Sequence, residues 1–233
     1  MKRISFFVIL CVATLLNACK EDLGPYKEVT RAYSLDTFSK LTMESGLRVD
    51  VQPGNNFSIT ARGNEEDVND LVLTVRQGVL YANYKNSRRR NRYDTFIMIT
   101  MPAIRAVNFS GAVHATITGF LTMNELDIEL SGASKTDYKG NVNLVKSVLS
   151  GASTLTMTGE GKKLVSELSG ASQLEAYDYP ADEADLDVSG ASEVRIRIND
   201  MLKVKASGAS KVRYRGNPQK YIDVSGASIV VQE

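Results

Sequence analysis

The chain has 233 residues, 43% hydrophobic and 24% charged, and its 28 Lys and Arg set against 27 Asp and Glu leave a net charge of +1. A near-neutral chain with one histidine and two cysteines excludes the basic footprint of a nucleic-acid binder, a histidine metal cluster and a disulfide framework. It is long enough to bury one substantial core.

The amino terminus reads as a leader. Lys2 and Arg3 precede an apolar run from Ile4 to Leu16 that is too short to span a bilayer, and the segment closes on Leu16-Asn17-Ala18-Cys19. That order describes a secretory signal peptide over residues 1–19. A cysteine at the cut site resembles the lipobox of bacterial lipoproteins, which implies that Cys19 is acylated and anchors the mature protein to a membrane. Asn17 departs from the usual Ala, Ser or Gly. Cys11 lies inside the leader, so the mature body has no thiol chemistry. Lys20-Glu21-Asp22 is similar to an export signal that sends some Gram-negative lipoproteins to the cell's outer face. Residues 20–33 show little periodicity and are expected to form a flexible tether.

Residues 34–105 are rich in β signals but irregular. Short strands are predicted at Phe38–Met43, Leu47–Val51, Phe57–Thr60, Leu80–Lys85 and Phe96–Met101. Asn64 to Leu71 is predicted as one helical turn capped by Asn64, ahead of Glu65, Glu66 and Asp67. The loop "NSRRRNRYD" carries Arg88, Arg89, Arg90 and Arg92, and is expected to be a solvated, disordered basic loop. The whole segment reads as wider early turns that cap the core and prevent edge pairing.

From residue 106 to 233 the chain repeats. Ser-Gly-Ala opens at Ser110, Ser131, Ser150, Ser169, Ser189, Ser207 and Ser225, and Met43-Glu44-Ser45-Gly46-Leu47 resembles a worn earlier copy. The spacing suits one turn of a β-solenoid. One residue before each serine stand Phe109, Leu130, Leu149, Leu168, Val188, Ala206 and Val224. Two before stand Asn108, Glu129, Val148, Glu167, Asp187, Lys205 and Asp223, polar except Val148. The same alternation follows the motif, through Leu155 and Met157 or Val194 and Ile196. Period two with one apolar face marks a strand, and no window carries a helical stripe. Glycine suits the bend, alanine is expected to point inward there, and the serine hydroxyls can satisfy backbone groups. The expected fold is therefore all-β: a single-stranded right-handed parallel β-helix over residues 34–233, with irregular amino-terminal turns. The last strand runs to Glu233 unguarded, so self-association through that end is an open possibility.

The Ser-Gly-Ala run, the opening "FSKLTMESGLRVDVQPG" from Phe38 and the bridge "MITMPAIRAVNFSGA" from Met98 resemble the auto-transporter adhesin head domain family, also called the GIN domain. The likeness covers roughly Phe38 to Val231. It implies a right-handed parallel β-helix on the envelope of Gram-negative bacteria, often lipid-anchored, and implies no reaction, since the family has no assigned catalytic residue.

Function is less legible. A non-catalytic surface protein could bind a glycan, a host macromolecule or an envelope component along its wall. The most distinctive surface is a basic patch of Arg195, Arg197, Lys211, Arg213 and Arg215, with Lys203 and Lys205 adding charge. Such a patch suits an anionic polysaccharide or the headgroup region of lipopolysaccharide, unless Asp182, Glu183, Asp185 and Asp187 simply neutralise it. The alternatives are a polysaccharide-acting β-helix enzyme or an envelope scaffold. Enzymes of that kind need clustered acids, and the nearest approach is Asp185 and Asp187 beside Glu167 and Glu129. His114 is alone. No enzyme activity, cofactor, metal or nucleic-acid partner is expected.

Overall fold

A computed structural model describes residues 23–89 and 91–233. The expected leader, its expected cleavage site and Cys19 lie outside the described residues, as does Arg90. Among the described residues, alternating side chains build sixteen strands, joined by one short helix: β1 Glu28–Tyr33, β2 Lys40–Met43, β3 Arg48–Pro53, β4 Ser58–Asn64, α1 Glu65–Asp70, β5 Leu71–Arg76, β6 Val79–Tyr84, β7 Phe96–Met101, β8 Ala106–Phe109, β9 His114–Leu130, β10 Lys135–Leu149, β11 Thr154–Leu168, β12 Gln173–Val188, β13 Glu193–Ala206, β14 Lys211–Arg215, β15 Gln219–Val224 and β16 Ile229–Gln232. They form a parallel β-solenoid of about seven turns.

Each long strand bends twice and pairs in parallel with the next rung along most of its length. Lys135 faces Thr154 at one end of the β10–β11 ladder and Leu149 faces Leu168 at the other. The half after each Ser-Gly-Ala corner forms a front wall. The half before the next corner forms a back wall, and a short connector between them forms a narrow third wall. The back-wall column Phe109, Leu130, Leu149, Leu168, Val188 and Ala206 is buried throughout, as the period-two pattern requires. One continuous core runs from Phe38 to Tyr214.

The corners are stacked backbone. Gly132, Gly151, Gly170, Gly190 and Gly208 all have φ near +70°, which L side chains rarely adopt. Successive corners are hydrogen-bonded, Ala152 N–H donating to Gly132 O and Ala171 N–H to Gly151 O, each at 2.7 Å. The alanine does not point inward. It is exposed at every corner, because the left-handed glycine turns the following residue outward and brings the second serine in. Ser134, Ser153, Ser172, Ser192 and Ser210 are all buried. The hydroxyls of Ser134, Ser153, Ser172 and Ser210 meet carbonyls at or just before a corner, as from Ser172 to Ser169 O at 3.0 Å and from Ser134 to Ser131 O at 2.8 Å, and Ser192 meets the Ser172 hydroxyl at 3.3 Å. In the earliest two copies Leu47 and Val113 fill that place. The worn copy is thus a true corner: Ser110 N–H donates to Met43 O and His114 N–H to Leu47 O.

The amino-terminal segment departs from simple winding. On the front wall the order is β1-β4-β7-β3-β9, and on the back wall β2 lies between β6 and β8. The chain lays down β2 and β3, steps outward to build the rung of β6 and β7, then returns to β8 and β9. The outermost strands β1, β4 and β5 pair antiparallel to their neighbours, which closes that end. The expected tether is corrected here: Glu28–Tyr33 is a strand paired along its length with β4. β5 likewise lies where no strand was expected. α1 stands where a helical turn was predicted, but the Asn64 side chain does not cap it. Asn64 Oδ1 instead accepts the Lys27 N–H at 2.8 Å, tying β1 to the cap.

At the other end the last rung is uncovered. Ile222 and Val224 occupy inward columns, opposite Val204 and Ala206, yet are exposed. Lys220 and Gln232 take the inward places opposite Leu202 and Tyr214. Polar residues at inward positions of an end rung oppose continued stacking. Gln232 further donates to Gly216 O at 2.7 Å.

Candidate functional site

The front wall gathers the predicted cations. Arg195 faces Arg213 and Arg197 faces Arg215 across β13 and β14, with Glu193 opposite Lys211. The five therefore form one cluster on one wall. Their neutralising partners are not those expected. Arg195 pairs with Glu175 at 2.5 Å and with Glu193 at 2.9 Å. Arg213 pairs with Glu193 and, at 3.1 Å, with Glu233. Among the described residues no carboxylate comes within 4.0 Å of Arg197, Lys211 or Arg215. Arg215 lays its guanidinium over the Tyr177 ring, 4.0 Å from the centroid. Tyr177 in turn donates to Glu233 at 2.7 Å, and its hydroxyl is pushed up to about 12, first by burial and then by that carboxylate. Five cations against three carboxylates leave a positive surface with two arginines held rigid.

Lys203 and Lys205 belong elsewhere. They lie on the back wall, opposite Asp185 and Asp187, and Lys203 pairs with Asp185 at 2.9 Å. They do not extend the patch, and those acids do not neutralise it, because a strand that bends at a connector sends its two halves to different walls. The acid stack itself is as expected: Glu129, Val148, Glu167 and Asp187 follow one another in register. Val148 separates Glu129 from Glu167, Glu167 faces Asp187 directly, and Asn108 donates to Glu129 at 2.7 Å.

His114 is exposed on the front wall between Arg48 and Lys135. Partial burial and then these two cations lower its pKa from 6.5, so it stays neutral where a lone histidine would begin to charge. The arginine loop is not merely solvated. Asp67 is fully buried and receives Arg92 at 3.2 Å, Arg89 at 3.3 Å and the Tyr93 N–H at 3.1 Å. Arg92 is 9% exposed, also reaches Asp70 at 2.5 Å, and stacks 3.9 Å from the Tyr84 centroid. Arg88 continues along the surface, its N–H on Asn86 Oδ1 at 3.2 Å. The loop is a clamp that pins the cap, and its carboxylates lie on a helix too short for its pairing to be read from spacing.

The family model described as "Putative auto-transporter adhesin, head GIN domain" matches residues 37–218. The chain belongs to this GIN-domain family. Among solved structures it is similar to a protein of Bacteroides fragilis described as a putative adhesin, at 20% identity and a TM-score of 0.83, covering 89% of this chain and 97% of that one. A putative adhesin from Parabacteroides merdae matches at 15% identity and a TM-score of 0.71, over 89% of this chain and 96% of its own. A protein of Parabacteroides distasonis described as a putative lipid binding protein matches at 16% and 0.65, over 88% and 96%. No curated protein matches. At these identities the shared feature is the fold, the GIN-domain solenoid. Tyr177, Glu193 and Glu233, which organise the basic cluster, escaped sequence reasoning. Only the registration of three rungs brings them together.

Proposed function

We propose that this GIN-domain protein is a non-catalytic lipoprotein of the outer envelope of a Gram-negative bacterium, anchored through Cys19, that presents its front wall as an adhesin-like surface to an anionic polysaccharide. The observation that carries the reading is the cluster on β13 and β14, where Arg197, Lys211 and Arg215 stand without carboxylate partners beside two arginines that are locked in place. A rigid, flat, parallel wall suits an extended polymer, and several weak charge contacts repeated along it add up. A non-catalytic role accords with Glu129 standing apart from Glu167 across Val148 and with Asp185 paired to Lys203.

The test uses the full chain in detergent with polygalacturonate as the probe, beside a variant with Arg197, Arg215 and Lys211 changed to serine. All three lie at the surface, so folding should be unchanged. Binding that weakens with salt and falls about tenfold or more in the variant is expected. Equal binding by both proteins, or none by either, retires the basic front wall.

A further inference from the structure

The narrow wall is absorbed by none of this. It holds a groove of about 410 Å³ running along the solenoid axis, crossed by β9, β10, β11, β12 and β13. Its lining is unusually rich in side-chain amides. Asn143 lies between residues that pair with Met123 and Glu125, so it stands directly against Asn124, and its Nδ2 donates to Asn124 Oδ1 at 3.2 Å. One column over, Asn141 faces Glu160. The Asn141 amide donates to that carboxylate at 3.3 Å and accepts the Glu160 N–H at 3.2 Å.

These contacts hold the amides in fixed planes and leave capacity unused. Each amide has two N–H donors and two acceptor lone pairs, and the mutual bonds occupy only part of them. The rest face open groove, for Asn124, Asn143 and Glu160 are all exposed. Apolar surface flanks them: Leu121 is 66% exposed at one end of the groove, and Pro180 lines it further along. Between the columns Gly161 leaves room on the core side for Tyr179, whose buried hydroxyl would lie 2.5 Å from a Cβ there.

We propose that this groove is a binding site for a neutral oligosaccharide chain laid along the solenoid axis. A sugar ring presents hydroxyls that both donate and accept, and it has a C–H face that packs on apolar side chains. Planar amides beside exposed Leu121 and Pro180 meet both needs. Rungs repeat at about 4.8 Å, close to the length of one pyranose in an extended chain, so successive sugars meet Asn124 on β9, Asn141 and Asn143 on β10 and Asn199 on β13, with Glu160, Lys162 and Asp182 on the rungs between. Charge selects neutrality: Glu160 and Asp182 outnumber Lys162 in the lining and repel a polyanion. An added peptide strand finds no free edge, because β10 and β11 pair through this wall and the five rungs pair with one another on either side of it.

The site is independent of the basic front wall, and one experiment separates the two. Neutral hexasaccharides of glucose, mannose, galactose and N-acetylglucosamine are titrated into the full chain in detergent by calorimetry, with hexagalacturonate alongside. The protein is compared with an Asn124→Ala, Asn143→Ala double variant, with Leu121→Asp, and with the front-wall serine variant. These positions are exposed, and matching circular dichroism spectra confirm that folding is intact. At least one neutral hexasaccharide should bind with an affinity indifferent to salt between about 0.05 and 0.5 M. That affinity should fall about tenfold or more in the amide variant, should weaken in Leu121→Asp, and should be untouched in the front-wall variant. Absence of neutral binding, or neutral binding that both groove variants retain, overturns the inference. Hexagalacturonate binding lost only in the front-wall variant would then leave the anionic reading standing by itself.

Discussion

Substituting Gly170 by alanine isolates what the repeated tripeptide contributes. Two costs arise. The first is conformational: Gly170 has φ +74°, and an L residue in that region costs about 1–2 kcal/mol, partly offset by about 0.4–1 kcal/mol because alanine restricts the unfolded chain. The second is steric. The added Cβ would lie 2.6 Å from Gly151 O and 3.1 Å from Gly151 N. Those are backbone atoms, and Gly151 O already accepts the Ala171 N–H at 2.7 Å, so relief requires parting two rungs. Overpacking of this kind costs about 1–3 kcal/mol, for a total of about 2–4 kcal/mol. Gly46 supplies the control, since its φ is also +74° but nothing lies within 4 Å of its Cβ position. Gly46→Ala should therefore cost only the conformational part, about 0.5–1 kcal/mol. Urea denaturation of both variants, followed by circular dichroism, measures the difference. Equal midpoints would refute the claim that close stacking of corners, rather than backbone conformation alone, demands glycine in the later turns.

Asp67→Ala should destabilise the amino-terminal cap by about 2–3 kcal/mol, because it strands Arg92 at a nearly buried site, and thermal melts should show it. The figure sits below a fully buried pair since Arg92 keeps Asp70. Alkaline titration should show a stabilising contribution from buried Tyr179, whose pKa is raised to about 12 by burial. With the folded value above the unfolded 10, that contribution is complete below pH 10 and disappears as pH rises through about 12. Phenolate absorbance from this residue should thus appear together with loss of β signal, and Tyr179→Phe should remove its share of the alkaline dependence. At the acid side the sign reverses for His114. Its folded pKa lies below 6.5, so its contribution is present above pH 6.5, is lost as pH falls through the folded value, and should vanish in His114→Gln.

Much of the wall was legible because the solenoid repeats a local rule. Phe109, Leu130, Leu149 and Leu168 alternate with polar neighbours in the chain, and a strand has only two faces, so their common burial follows from order alone. Strand β7 emerges at its predicted bounds for the same reason. The corner was half legible: glycine marked the bend, but which neighbour turned inward depended on the left-handed φ, and Ser172 rather than Ala171 went into the core. β1 hid in a polar stretch because an edge strand exposed along most of its length needs no apolar alternation, only a partner, which β4 supplies.

The candidate sites divide along the same line. That Arg195, Arg197, Arg213 and Arg215 share a wall was readable, since equal offsets from the serine place residues in one column. That Glu193 and Glu233 hold two of those arginines, while Asp185 turns away to Lys203 on another wall, was not, because it depends on where each strand bends. The amide groove was hidden too, as Asn124, Asn141 and Asn143 sit in connectors of unequal length whose alignment is set by the stacked rungs. Period and turn chemistry act between neighbours along the chain, so a β-solenoid and its inward faces follow from residue order. Registry across rungs is a contact between residues about twenty positions apart, so which charges meet and which polar groups are left facing solvent is set when the rungs stack.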